Sequence, residues 1–160
     1  MKIFYPPKQI ELRPNRLSIF LAGTIDNGQS KDWQADIIEM LTILGVEADI
    51  YNPRRPDWDE TVEQSFENPT FYQQVNWELD ALEKADVIIV NILEDSKSPI
   101  TLMEIGLHIN SKKLLVCCPD KFYRSGNIQV VCDRYHIPLF NNIQELVETL
   151  LILIKEHDKG

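Results

Sequence analysis

Five short apolar runs alternate with helical periods, and each run ends in a polar turn; this alternation predicts an α/β protein built on a parallel sheet. With right-handed crossovers, the simplest winding of five such units is a doubly wound, flavodoxin-like five-stranded sheet in the order 2-1-3-4-5, with helices on both faces. Hydrophobic residues make up 44% of the 160 and charged residues 26%, enough apolar surface for one core over residues 17–160.

Residues 1–16 contain three prolines and are expected to form an extended arm on the surface. The apolar runs Leu17–Ala22, Val46–Tyr51, Asp86–Ile92, Lys113–Cys118 and His136–Phe140 are short and rich in Val, Ile and Leu, as buried strands are. Trp33, Ile37, Leu41 and Leu44 recur at helical spacing, and Phe71, Val75, Leu79 and Leu82 repeat the pattern in a second helix. In that second helix Trp77 is expected to point away from the core and to serve as a subunit contact or ligand wall. Ser98-Pro99 starts a third helix with a good N-cap and proline at the first position, Asn127–Tyr135 a short fourth, and Ile143–Lys155 a final apolar one.

Composition narrows the partners. The formal charge is -9 and no basic run is longer than Arg54-Arg55, which speaks against a nucleic-acid partner. The first residues, MKIFYPPKQIELRPNR, lack the apolar stretch of a signal peptide, and no apolar run approaches about 18 residues, so a cytoplasmic protein with no membrane partner is expected. Cys117, Cys118 and Cys132 read as structural thiols, and three scattered histidines give no metal site.

The predicted topology brings the segments GTIDNG, NPRRPDWD, LEDSKSPITLME and PDKFYRSGN to the carboxyl rim of the sheet, where α/β proteins bind their ligands. Two glutamates stand near that rim by helical phase. Glu78 lies about 20° from Phe71 and about 60° from Val75 around its helix, which predicts partial burial, whereas Asp80 falls on the solvent side. Glu104 lies about 40° from Ile100, again beside apolar neighbours. Thr101-x-x-Glu104 also matches a capping box, a structural alternative to a catalytic role. A partly buried carboxylate near a helix N-terminus can act as a nucleophile at a sugar's anomeric carbon, and a second carboxyl group held protonated can supply a proton to the departing base.

The segments FLAG, NPRR-x-x-W-D, V-x-W-E-L-x-x-L-x-x-A-D-V-I and S-P-I-T-L-M-E-I-G-L together resemble the nucleoside 2-deoxyribosyltransferase family, in the branch marked by NPRR, from about Leu17 to about Asn127. The resemblance implies a cofactor-free, commonly oligomeric enzyme with a flavodoxin-like fold that moves a 2-deoxyribosyl group between nucleobases. It places the nucleophile at Glu104, in the M-E-I-G context, and a second acid eight residues before Asp86, which is Glu78.

Some positions depart from the family pattern. Ile19 stands where the better-known transferases have a tyrosine early in the first strand, so no tyrosine partner for Glu104 is carried over. Ser98 stands where they have an aspartate that helps protonate the base; it matches the related nucleotide hydrolases, where it helps hold a phosphate. Asp26, by contrast, replaces the arginine those hydrolases carry and would repel a 5′-phosphate, which favours an unphosphorylated nucleoside. Gly23 and Thr24 are expected to let the backbone approach a sugar or base, Asp26 or Asn27 to bond the 5′-OH, and Trp58 and Asp59 to contact the base. Arg54 and Arg55 are expected to brace carboxylates at the rim, and Asn127 matches a late loop through which family members reach a neighbouring subunit's substrate. The partners expected are therefore a nucleoside, a free base and further copies of the chain. With water as acceptor the same glutamate would make an N-glycoside hydrolase acting on a nucleotide, a modified nucleoside or NAD. A catalytically silent nucleoside-binding sensor is the alternative of another class.

Overall fold

A computed structural model describes residues 1–157. The chain runs β1 (Lys2–Phe4), β2 (Leu17–Gly23), α1 (Trp33–Ile43), β3 (Ala48–Tyr51), α2 (Pro69–Lys84), β4 (Val87–Asn91), α3 (Pro99–His108), β5 (Leu114–Cys117), α4 (Ser125–Tyr135), β6 (Leu139–Phe140) and α5 (Ile143–His157). All strand pairs are parallel, in the order β1-β3-β2-β4-β5-β6. The five strands expected from the apolar runs are present in the expected order, and β1 adds a sixth beside β3.

The sheet is covered on both faces. Trp33, Ile37 and Leu41 of α1 and Leu146, Leu150 and Ile154 of α5 pack on one side against Ile19, Leu21, Ile50 and Ile89. Trp77, Ala81 and Leu82 of α2, Ile105 of α3, and Ile128 and Cys132 of α4 pack on the other against Phe20, Ile88, Val90 and Val116. The central strands β2 and β4 are buried almost throughout, which is why their sequences are continuous Val, Ile and Leu rather than alternating.

Three expectations are corrected here. Trp77 is only 7% exposed and belongs to the core. Its indole N–H donates to the Lys8 carbonyl at 2.8 Å, so the N-terminal segment covers the face of α2 that would otherwise meet solvent. That segment is also more than a surface arm. Ile10 enters the core, Arg13 grips the buried Asp49 carboxylate through Nε and Nη2, and Asn52 N donates to the Phe4 carbonyl as β1 pairs with β3. Leu44, expected on the buried stripe of α1, instead caps the helix and is exposed.

The three cysteines are buried free thiols, each pushed up to about 11 by burial. No described helix is long and apolar enough to cross a membrane.

Candidate active site

At the carboxyl end of the sheet a cleft of about 590 Å³ opens between the loop after β2, the loop after β3, α2 and the start of α3. Its volume suits a small organic ligand. A second concavity of about 340 Å³ lies at the opposite end of the strands, but its carboxylates are already committed, the buried Asp49 to Arg13 and the exposed Asp86 to Ser18.

The loop after β2 is held by its neighbours. Gly23 has φ +144°, and a Cβ built there would lie 2.2 Å from the Asn91 carbonyl oxygen and 2.8 Å from Trp33 Cζ2. Glycine is thus required by the approach of β4 and the Trp33 ring, while the Gly23 backbone itself lines the cleft. Thr24 N donates to the same Asn91 oxygen. The Thr24 side chain is 0% exposed, and its hydroxyl bonds Ser98 Oγ at 2.6 Å and Ser96 Oγ at 3.0 Å while accepting from Leu93 N. Ser98 sits in the left-handed region at φ +46° as the N-cap of α3, yet its hydroxyl makes no cap bond and joins this buried cluster instead. The cluster ties the loop after β2 to the loop before α3.

Asp26 and Asn27 follow in a single 3₁₀ turn, both with positive φ, exposed and lining the cleft. Asn27 Oδ1 accepts from the Trp58 indole at 3.0 Å, so the expected base-contact residue and one of the expected 5′-OH residues are linked to each other. Arg54 pairs with the Asp32 carboxylate through Nε at 3.6 Å. Its guanidinium donates to the carbonyls of Gly28, Ser30 and Lys31, clamping the turn, while Arg55 pairs with Asp57.

Both glutamates line the cleft. Glu104 is the sixth residue of α3, in its second turn, and Thr101 lies inside the helix, so the pair does not form a capping box. Glu104 is 8% exposed; burial, with the Glu78 charge adding, pushes its carboxyl up to about 8. Burial pushes Glu78 up to about 7, opposed by a hydrogen bond from Gln74 Nε2 to Glu78 Oε1 at 2.7 Å. Among the described residues neither glutamate forms an ion pair, so the cleft holds two desolvated carboxyl groups that resist ionising together.

The model of the family described as nucleoside 2-deoxyribosyltransferase like matches residues 16–122. The chain belongs to this family. The match begins just before β2 and ends after β5, and thus contains every residue that lines the cleft. A comparison with curated proteins finds no match. Membership of the nucleoside 2-deoxyribosyltransferase-like family supports a nucleoside-related role in glycosyl transfer.

Of the residues expected at the site, Gly23, Thr24, Asp26, Asn27, Trp58, Glu78, Ser98 and Glu104 line the cleft. Asp59 does not; its carboxylate is turned onto the Thr61 N–H and hydroxyl. Asn127 lies exposed on α4, outside the cleft of its own chain. Gln74 was missed by sequence reasoning, although it stands four residues before Glu78 on α2, the spacing at which helical side chains meet. Among the described residues no group of histidine, cysteine and carboxylate side chains could hold a metal ion.

Proposed function

We propose that the protein transfers a 2-deoxyribosyl group between nucleobases through a covalent glycosyl-enzyme on Glu104. The observation that carries this reading is the carboxyl pair, buried Glu104 and half-buried Glu78, facing one nucleoside-sized cleft. One proton serves the pair. Glu104, at about 8 against about 7 for Glu78, holds it the more strongly, so the reactive form is the minor one, with the proton passed to Glu78. The Glu104 carboxylate then attacks C1′, the C1′–N bond breaks with its electrons passing to the base, and the proton on Glu78 moves to that base. A second base attacks C1′, returns a proton to Glu78 and frees Glu104. No metal or organic cofactor takes part in these steps.

Chromatography of a deoxynucleoside incubated with and without a different free base tests the reading. A new nucleoside should form only when the acceptor base is present. Release of deoxyribose independent of added base would replace it with an N-glycoside hydrolase, and saturable binding without turnover with a silent sensor. Because the reaction needs one proton on the pair, turnover should be highest between about pH 7 and 8 and fall on either side.

The 5′ end of the sugar is assigned to Asp26, whose carboxylate is the acidic group on the turn lining the cleft. Deoxynucleosides should outcompete their 5′-monophosphates, and Asp26→Arg should narrow or invert that preference. Better turnover of the monophosphates by the unaltered protein would overturn the assignment.

Assembly into at least a dimer is also proposed, with Asn127 directed to a neighbouring copy. Exposed Tyr123 beside Asn127 and the exposed α3 stripe Ile100, Met103 and Leu107, two of which border the cleft, support it. Light scattering at micromolar concentration should show no monomer.

A further inference from the structure

Gln74 is 8% exposed, lines the cleft, and spends both amide hydrogens, one on the Pro53 carbonyl at 3.1 Å and one on Glu78 Oε1 at 2.7 Å. Its own Oε1 is buried and has no hydrogen-bond partner among the described residues. Turning the amide over would set that oxygen against the Pro53 carbonyl, another acceptor, so the orientation is fixed by the backbone where the loop after β3 begins. A buried polar atom left without a partner is a cost that packing alone does not recover. A leucine or methionine here would fill the same volume without it.

We propose that Gln74 is a positioning residue for Glu78: it holds Oε1 as an acceptor and thereby confines the transferable proton to Oε2. The chemistry follows from the carboxyl group. In a protonated carboxyl the carbonyl oxygen is the better acceptor and the hydroxyl oxygen carries the donor. An N–H directed at Oε1 therefore selects the tautomer protonated on Oε2, and the 2.7 Å contact fixes the rotamer that presents it. The same bond favours the ionised form of Glu78, so that when this acid does carry the proton it gives it up readily to the base. Through Pro53, the position of this acid is also tied to the loop that carries Arg54 and Trp58.

The proposal rests on the transferase reading for its kinetic test. In Gln74→Leu, kcat should fall about tenfold with KM within about twofold, and the acid limb of the pH profile, set by Glu78, should move upward by at least about 0.5 unit, because the lost N–H had favoured the carboxylate. Gln74→Met, closer in length, is the second variant should the first fail to fold. In a Glu78→Gln background, Gln74→Leu should bring no further loss, since it acts through Glu78. A fall in kcat with an unmoved limb, an additive loss in the double variant, or activity within twofold of the parent would each overturn the proposal. A ¹³C titration of the glutamate carboxyls needs no turnover and so separates this claim from the transferase reading. The Glu78 midpoint should rise when Gln74 is replaced, and an unchanged midpoint would overturn the proposal whether or not the protein transfers deoxyribose.

Discussion

Glu104→Gln is expected to lower deoxyribosyl transfer at least about 10³-fold, roughly 4 kcal/mol of barrier, and at the same time to make the protein more stable at alkaline pH. The first effect is loss of the charge that attacks C1′. The second follows from burial. The Glu104 carboxyl is held up at about 8 against an ordinary 4.5, so between those values the folded chain binds more protons than the unfolded one. Stability then falls as pH rises through that window, and above about 8 the full cost of a buried charge is present. Glutamine has nearly the same shape and no charge, so the variant should match the parent near pH 4 and exceed it by something on the order of 5 kcal/mol near pH 9. Urea denaturation at the two pH values measures this gain. Mass spectrometry of the parent, quenched in acid with a deoxynucleoside and no acceptor, should find the sugar on the peptide that contains Glu104. A variant that transfers deoxyribose at more than about a tenth of the parental rate would remove Glu104 from the mechanism. A stability difference independent of pH would show that its burial carries no electrostatic cost.

Gly23→Ala is expected to cost at least about 3 kcal/mol of stability and to leave little folded protein. The added methyl would stand 2.2 Å from a carbonyl oxygen of β4 and 2.8 Å from the Trp33 ring, at a backbone angle that residues with a Cβ avoid. The obstructing oxygen belongs to the backbone of a central strand, so relief requires moving the sheet. Gly106→Ala on α3 provides the contrast. Nothing lies within 4 Å of its added methyl, and alanine suits a helix better, so stability should hold or rise by up to about 1 kcal/mol. Equal, small effects of the two substitutions in urea titrations would contradict the strain described at Gly23.

Much of this was legible from the amino-acid sequence because burial on both faces leaves strong signals. The runs that became β2 to β6 are apolar and bounded by turns, and the order of the sheet follows from the handedness of their crossovers. β1 was missed because Lys2–Phe4 is too short to show a period and is followed closely by prolines. A single apolar stripe on α2 leaves Trp77 on the solvent side. The helix in fact meets the sheet, the cleft and the N-terminal segment on different sides, so Gln74 and Trp77 are buried while Leu79 is exposed. At the site, helical phase brought Glu78 and Glu104 to one cleft. Phase could not show that Thr24 and Ser98 would turn their hydroxyls toward each other, since that depends on how two loops distant in sequence meet. Asp59 illustrates the same point: the bond to Thr61 is a local turn, and its preference over an outward-facing carboxylate is decided two residues away.

The pairing of β1 with β3 has a consequence for how the protein behaves in concentrated solution. Every residue of β3 from Ala48 to Tyr51 is buried, and β1 occupies its outer row of backbone donors and acceptors. Stripped of Lys2–Phe4, that row would become an open margin of a largely apolar strand, a ready template for pairing with another chain. The opposite margin, β6, is only two residues long and offers little to pair with. Aggregation of a chain trimmed at its N-terminus should therefore nucleate at β3, and three residues far from the chemistry act as its guard.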